Sequence, residues 1–102
     1  MATTYEQAAK AVYDASIKEW EPSWGTFLLD DRDIIEDDEV FVFIVGAREM
    51  LIDMNPDFTT VGGGNGVVSK IDGTLTRVPW IFVEEEHPNL VQYKNPHPIY
   101  FH

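Results

Sequence analysis

The hydrophobic pattern of the chain centres on six consecutive apolar residues, Val40 to Val45, which are all β-branched or aromatic. A run this short and this rich in β-forming residues, with charges before it and Gly46 after it, is typical of a strand covered on both faces. We therefore expect the central strand of a sheet. Its alternating side chains form two predicted faces, with Phe41, Phe43 and Val45 on one and Val40, Val42 and Ile44 on the other.

The N-terminal segment has the pattern of an amphipathic helix. Thr3 or Thr4 can serve as its N-cap, because a Glu or Gln follows each of them three residues later, as a capping box requires. Apolar residues then recur at three- and four-residue spacing as far as Ile17. Pro22 disfavours helix at the residue before it, so the helix should end near Trp20.

Between this helix and the central strand, the sequence indicates a strand and then a loop. Residues 25–29, Gly-Thr-Phe-Leu-Leu, have the composition of a first strand. Residues 30–39 contain seven acidic side chains against the single Arg32, with Ile34 and Ile35 between them. We interpret them as an acidic loop with an apolar tip, connecting two antiparallel strands.

The second half of the chain contains a hairpin signal. Residues 67–71 and 74–78 flank Asp72-Gly73, a pair that suits a two-residue type I′ turn. Pro79 limits further sheet pairing, and the apolar residues 80–83 fit either an edge strand or the start of a helix. Residues 84–102 are predicted to be a wrapped or extended tail.

These elements predict an α+β fold, in which an N-terminal helix packs on a curved antiparallel sheet of four to five strands. A chain of 102 residues fits one domain, residues 1–102, with a single core. The N-terminus has neither the basic region nor the apolar run of a signal peptide, and the longest apolar run is too short to span a bilayer. We expect a cytoplasmic protein.

The charge of the chain restricts its partners. The formal net charge is -11 at pH 7. Nucleic acids and anionic membranes would repel such a chain, so neither is an expected partner. A basic protein partner is favoured, and simple solubility without a partner is the alternative. Cysteine is absent, which excludes disulfides, thiolate catalysis and cysteine-ligated zinc.

No motif in the chain predicts catalysis, a metal or a cofactor. The acidic segment lacks the central glycine of a calcium loop and has two isoleucines in its place. The glycine run Gly62 to Gly66 is followed by a predicted strand and not by the Lys and helix of a phosphate loop. The histidines at 87, 97 and 102 are too loosely spaced for a preformed ligand set. We therefore predict a protein that is not an enzyme.

The acidic segment has two interpretations. One is a solvated loop that protects a hairpin. The other is a docking surface for a cationic partner, in which carboxylates meet Lys and Arg while the isoleucines and an exposed tryptophan supply apolar anchors. The residues predicted to bind this partner are Trp24, Asp30, Asp31, Asp33, Ile34, Ile35, Glu36, Asp37, Asp38, Glu84, Glu85 and Glu86.

The order of features is similar to that of a known family. A helix with alanines precedes an aromatic strand that leads into Ala47-Arg48-Glu49-Met50-Leu51, and Gly64-Asn65-Gly66 then precedes Val67-Val68 and the charged turn Lys70-Ile71-Asp72-Gly73-Thr74. From about Tyr5 to Val78 the chain resembles the immunity protein 35 family, which includes the YrhB-like proteins. The additional Gly62 and Gly63 and the ending after Pro79 depart from it.

The resemblance implies a bacterial cytosolic protein that binds and neutralises a polymorphic toxin, and it supplies no catalytic residues. The YrhB branch is associated with heat stress, which implies a holdase as one alternative. A second alternative is a small ligand-binding or enzymatic domain, with a pocket under the helix lined by Phe41, Phe43 and Trp80. The expected oligomeric state is a monomer or a weak homodimer formed through a strand edge.

Overall fold

A computed structural model describes residues 2–58 and 65–101 of the chain. Five strands form one antiparallel sheet in the order β4-β3-β2-β1-β5, with helices on both faces, so the predicted α+β fold is confirmed. The elements in chain order are α1 (Tyr5–Glu19), a 3-10 turn (Pro22–Trp24), β1 (Phe27–Glu36), β2 (Val40–Ala47), α2 (Arg48–Leu51), a 3-10 turn (Pro56–Phe58), β3 (Asn65–Ser69), β4 (Leu75–Val78), α3 (Trp80–Glu86) and β5 (Val91–Lys94).

Helix α1 begins and ends where the sequence predicted. The Gln7 N–H donates to Thr4 Oγ1 at 3.2 Å and the Thr4 N–H donates to Gln7 Oε1 at 3.0 Å, which completes the capping box. Its alanines bring the helix close to the sheet, because Ala8 and Ala9 are both buried against the strands. The helix therefore packs on the central strands β2 and β3 of this face.

Strand β2 is the central strand and separates two hydrophobic clusters, as predicted. On the α1 face, Phe41 and Phe43 pack with Leu29, Val68 and the helix. On the other face the cluster contains Ile35, Val40, Val42, Val67 and Val83, with Ile44, Val78 and Leu90 at its border. Both faces of this strand are therefore covered by other parts of the same chain.

The second face is covered by α3, which resolves the ambiguity of residues 80–83 in favour of a helix. Only Val83 of this seven-residue helix is buried, and it lies at the centre of the second cluster. Trp80, Ile81 and Phe82 remain 39%, 64% and 51% exposed. A helix of two turns covers much less of the sheet than α1 does, so part of this face stays open.

The prediction of an acidic loop at residues 30–39 is wrong, because β1 continues as a strand to Glu36. Asp30 pairs with Ile44 of β2, and Ile35 pairs with Val42. Four residues of β1 therefore lie opposite the single Phe43, so β1 carries a bulge of three extra residues. An odd number of extra residues reverses the alternation of side chains, which explains why Leu29 and Ile35 belong to clusters on opposite faces.

The hairpin between β3 and β4 is confirmed, but its turn is longer than predicted. Val68 pairs with Leu75, and four residues, 70–73, connect Ser69 to Thr74. Gly73 adopts a φ of 76° in this loop, while Asp72 Oδ1 accepts a hydrogen bond from the Thr74 N–H. The longer loop leaves Ile71 exposed instead of in the sheet.

In the tail, β5 pairs with β1 as an edge strand, from Asp33 opposite Lys94 to Glu36 opposite Val91. Three glycines of the predicted glycine run, at 62–64, lie outside the described residues, and Asn65 and Gly66 begin β3. Within the described part of the chain, no helix is long and apolar enough to cross a membrane.

We expect Gly66→Ala to destabilise the fold. A Cβ at Gly66 would lie 2.9 Å from both γ-carbons of Val12, which is closer than two carbon atoms approach without displacement. Because Val12 is fully buried, the expected loss is about 1–3 kcal/mol of unfolding free energy in urea denaturation. Gly46→Ala is the matched control, since its Cβ would meet Leu51 at an ordinary 3.5 Å. Equal stabilities of the two variants would contradict this packing.

Candidate protein-binding surface

Most acidic side chains of β1 are bound within the molecule and do not form a uniform charged surface. Asp30 accepts two hydrogen bonds from the guanidinium of Arg32, at 2.9 and 2.7 Å. These bonds lower the pKa of Asp30, although partial burial opposes the shift. Asp33 accepts a hydrogen bond from Gln92 of β5 at 2.9 Å and stays exposed. The charge of Asp30 is therefore largely neutralised by its neighbour.

Asp31 is a structural residue and not a surface ligand. Its side chain is 2% exposed, and its two carboxylate oxygens accept the N–H groups of Ile99, Tyr100 and Phe101 at 2.6–2.9 Å. The Asn95 side chain donates to the Asp31 carbonyl at 2.8 Å. The carboxylate thus fixes the end of the chain against the bulge of β1, which removes Asp31 from the predicted docking surface.

The two isoleucines of the predicted apolar tip point to opposite faces of the sheet. Ile34 is half-buried near α1, while Ile35 is 5% exposed in the second cluster. Neither side chain extends into solvent as the prediction required. The error has the same cause as the loop assignment, because residues of a covered strand alternate between two packed faces.

The last residues of β1 lead into a tight turn that carries several carboxylates. Glu36 forms an ion pair with Lys70 of the β3–β4 loop at 2.6 Å and accepts a hydrogen bond from the Tyr93 hydroxyl. The Lys70 contact is the main cause of a lowered pKa at Glu36. Asp38 and Glu39 follow and are exposed. The turn is therefore held from two sides while its tip carries unpaired charge.

Asp37 joins this turn to α3. Its Oδ1 accepts the N–H groups of Glu39 and Val40 at 2.7 and 2.8 Å, and its Oδ2 lies 3.2 Å from Nδ1 of His87. Burial alone would raise the pKa of Asp37, but these hydrogen bonds and the neighbouring imidazole outweigh it and lower the pKa. His87 caps the C-terminal end of α3, so the contact holds the last turn of that helix beside the β1–β2 turn.

Through this contact, the structure joins two acidic segments that are more than forty residues apart in sequence. Glu84, Glu85 and Glu86 are exposed on the last turn of α3, directly before His87. We call the combined surface the acidic end. It consists of Glu36, Asp37, Asp38, Glu39, Glu84, Glu85 and Glu86, and Lys70 forms an ion pair with its Glu36.

Exposed apolar side chains border the acidic end. Trp80, Ile81 and Phe82 lie on the first turn of α3, and Trp80 donates its indole N–H to Glu84. A cleft of about 390 Å³ beside them is lined by Trp80, Glu84, His87 and the exposed Val91, among others. Exposed apolar and charged groups are therefore neighbours on α3 and around this cleft, and protein interfaces combine both kinds of group.

The predicted anchor Trp24 lies elsewhere. It follows α1, stacks edge-to-face on Trp20 and is 39% exposed. The start of β1 lies near it, at the end of the sheet opposite the β1–β2 turn. Sequence reasoning missed Trp80 and its two neighbours as anchors because residues 80–83 fitted a strand as well as a helix. The three glutamates that follow, Glu84–Glu86, require contact with solvent. They were the sequence signal that residues 80–83 lie near the surface.

The three residues predicted to line a pocket under α1 do not lie around one pocket. Tyr5 packs on Phe41 and Phe43, with ring centroids 5.5 and 5.2 Å away, and both phenylalanines are buried. Trp80, the third predicted lining residue, lies on the opposite face of the sheet with Ile35. In residues 2–58 and 65–101, no three His, Asp or Glu side chains come together in a group that could hold a metal ion.

Comparison with known proteins identified no relative of this chain. No protein-family model matches the chain, and no significant match was found among curated proteins or among solved structures.

We expect Asp31→Asn to cost about 2–4 kcal/mol of unfolding free energy. An amide offers one acceptor oxygen in place of two, and its NH₂ group would face backbone N–H donors that are left unsatisfied. Asp33→Asn is the matched control, because this exposed neighbour accepts one side-chain hydrogen bond. Urea denaturation measures both variants, and a loss at position 31 no larger than that at position 33 would argue against this role.

The pH dependence of stability tests the Asp37 contact. A carboxyl whose pKa is lowered by folding stabilises the protein above its unfolded pKa, roughly 3.9, and this stabilisation is lost as the pH falls through the folded pKa. We therefore expect Asp37→Asn to be less stable at pH 7, with a shallower loss of stability on acidification below about pH 4. Asp38→Asn, an exposed neighbour, should retain the acid profile of the original protein.

Proposed function

We propose that this domain is a non-catalytic inhibitor of a basic protein, with the role of a bacterial immunity protein that occupies the cationic cleft of a toxin domain. The observation that carries the proposal is the His87–Asp37 contact, which places the last turn of α3 beside the β1–β2 turn. Carboxylates that are distant in sequence thereby form one surface next to exposed apolar side chains.

The chemistry of this surface fits a cationic partner. Asp38, Glu39, Glu85 and Glu86 are exposed. Together with the net charge of -11, they would accelerate encounter with a positive cleft by long-range attraction. Electrostatic attraction alone gives rate and orientation more than affinity, so an interface also needs buried anchors. Trp80 and Phe82 provide aromatic anchors of this kind at the border of the acidic end.

The rigidity of the surface also supports inhibition. The turn is fixed by hydrogen bonds to Asp37 and by the Glu36–Lys70 ion pair, and α3 is fixed by the buried Val83. A surface that is already ordered loses little conformational entropy on binding, which favours tight association. Toxin domains that act on nucleic acids or other anions have positive clefts, and an ordered anionic surface can occupy them without reacting.

We expect the double reversal Glu85→Lys and Glu86→Lys to weaken partner binding at least tenfold and to abolish protection when the partner is co-expressed in a bacterial host. Both residues are exposed, so the fold should be preserved. The partner is first captured from the native host at about 50 mM salt and released at about 500 mM, where charge attraction is screened.

The matched control reverses two exposed acids at the opposite end of the molecule, Glu21→Lys and Asp53→Lys. This variant has the same net charge as the first, so equal weakening by both would show that net charge, and not the acidic end, governs binding. Affinity that is unchanged by salt and by both reversals would contradict the electrostatic mechanism. Growth protection by the control but not by the Glu85 and Glu86 variant is the expected result.

A further inference from the structure

A cavity of about 290 Å³ lies on the α1 face of the sheet, between α1, β1 and the C-terminal segment that we define as residues 95–101. Its buried polar lining residues are Asp31 and Asn95, while the polar Glu6 and His97 are exposed. Apolar and aromatic walls lie between them, formed by Tyr5, Ile34, Ile99 and Tyr100. The volume is close to the lower end of the range for small-molecule sites.

The walls of this cavity are held in place by the interactions of the bulge. Asp31 binds the backbone N–H groups of Ile99 and Tyr100, the two wall residues of the C-terminal segment. At the other end, the Asn95 N–H donates to the Arg32 carbonyl at 2.8 Å, and Asn95 Oδ1 accepts the His97 N–H at 3.0 Å. Both ends of the segment are therefore anchored, and the cavity exists before any ligand binds.

Aromatic contacts fix the rings that line the cavity. Tyr100 stacks on Tyr13 of α1 with ring centroids 4.9 Å apart, and Tyr5 packs on the two core phenylalanines. Burial, and secondarily the charge of Asp31, raise the pKa of Tyr5, so its phenol stays protonated and neutral. The cavity is thus lined by two ordered tyrosine rings.

The charges around the cavity select the ligand. Asp31 and Glu6 contribute carboxylates, and none of the described lining residues is Lys or Arg. An anion would be repelled here by these groups and by the whole molecule, whose net charge is -11. A cation would be attracted by the carboxylates and by the negative faces of the aromatic rings.

We propose that this cavity binds an organic monocation, a guanidinium or alkylammonium group with a short apolar stem. The stem would contact Ile34 and Ile99, and the cationic head would lie near the tyrosine rings and Glu6. The cavity is on the face opposite α3, so this inference is independent of the proposed function. The cation has two possible sources, a free small organic cation or the Arg or Lys side chain of a protein.

The test is an NMR titration of the full chain with n-butylguanidinium and with n-butylurea, a neutral molecule of nearly the same shape. The resonances of Tyr5, Ile99 and Tyr100 should shift, and the cation should bind at least fivefold more tightly than the urea. Absence of shifts at these residues, or equal affinity for the two probes, would overturn the proposal.

Two variants test whether the Glu6 carboxylate and the Tyr100 ring contribute to binding of the cation. Glu6→Gln, at an exposed helix position, and Tyr100→Leu should each weaken n-butylguanidinium binding about fivefold. Glu85→Gln is the matched control for Glu6→Gln, because it removes the same charge on the other face of the sheet. Equal weakening by the two Gln variants would overturn the site. Circular dichroism confirms folding of each variant, and Glu6→Gln decides the result if Tyr100→Leu is unfolded.

A third arm distinguishes the sources of the cation. A blocked tripeptide with a central arginine presents the same guanidinium on a polypeptide backbone. Binding of the tripeptide at least as tight as that of n-butylguanidinium would assign the cavity to a protein side chain. Binding of n-butylguanidinium alone would assign the cavity to a free small organic cation. Binding of neither probe would overturn the proposal.

Discussion

The bulge of β1 between Asp30 and Ile35 is the constraint on which the rest of the structure depends. Three extra residues reverse the alternation of side chains, so that one strand contributes Leu29 to the α1 cluster and Ile35 to the α3 cluster. Asp31 lies at the start of the bulge on the α1 face, where its carboxylate binds three backbone N–H groups of the C-terminal segment. A regular strand would place Ile35 on the same face as Leu29 and remove it from the second cluster.

In this arrangement the acidic residues of the segment have different structural roles. Asp31 orders the chain, Asp30 is paired with Arg32, and Asp37 fixes a turn and α3. Only the carboxylates beyond these contacts carry charge toward solvent, and several of them meet at the acidic end. The ordering residues share a short acidic segment with the exposed Asp38 and Glu39, and the His87–Asp37 contact brings Glu84–Glu86 of α3 beside that segment. The proposed binding surface is therefore a consequence of the fold and not of charge alone.

The two faces of the sheet differ in how completely they are covered. Helix α1, with fifteen residues, covers its face and forms a cavity with the C-terminal segment, while the seven residues of α3 leave apolar side chains at the surface. A small domain has little surface to distribute between stability and recognition. Here the Asp31 carboxylate stabilises one face, and the short helix leaves apolar side chains of the other face exposed.

The sequence by itself determined α1, the central strand with its two faces, and the α+β class, because capping and hydrophobic periodicity are local. It also determined that the chain is strongly anionic. Only the tertiary structure decided that the acidic residues 30–36 form a strand, since a bulge depends on the register of two strands and composition does not encode register. Likewise, the contact of His87 with Asp37, which brings the last turn of α3 beside the β1–β2 turn, depends on the helix packing on the sheet through Val83.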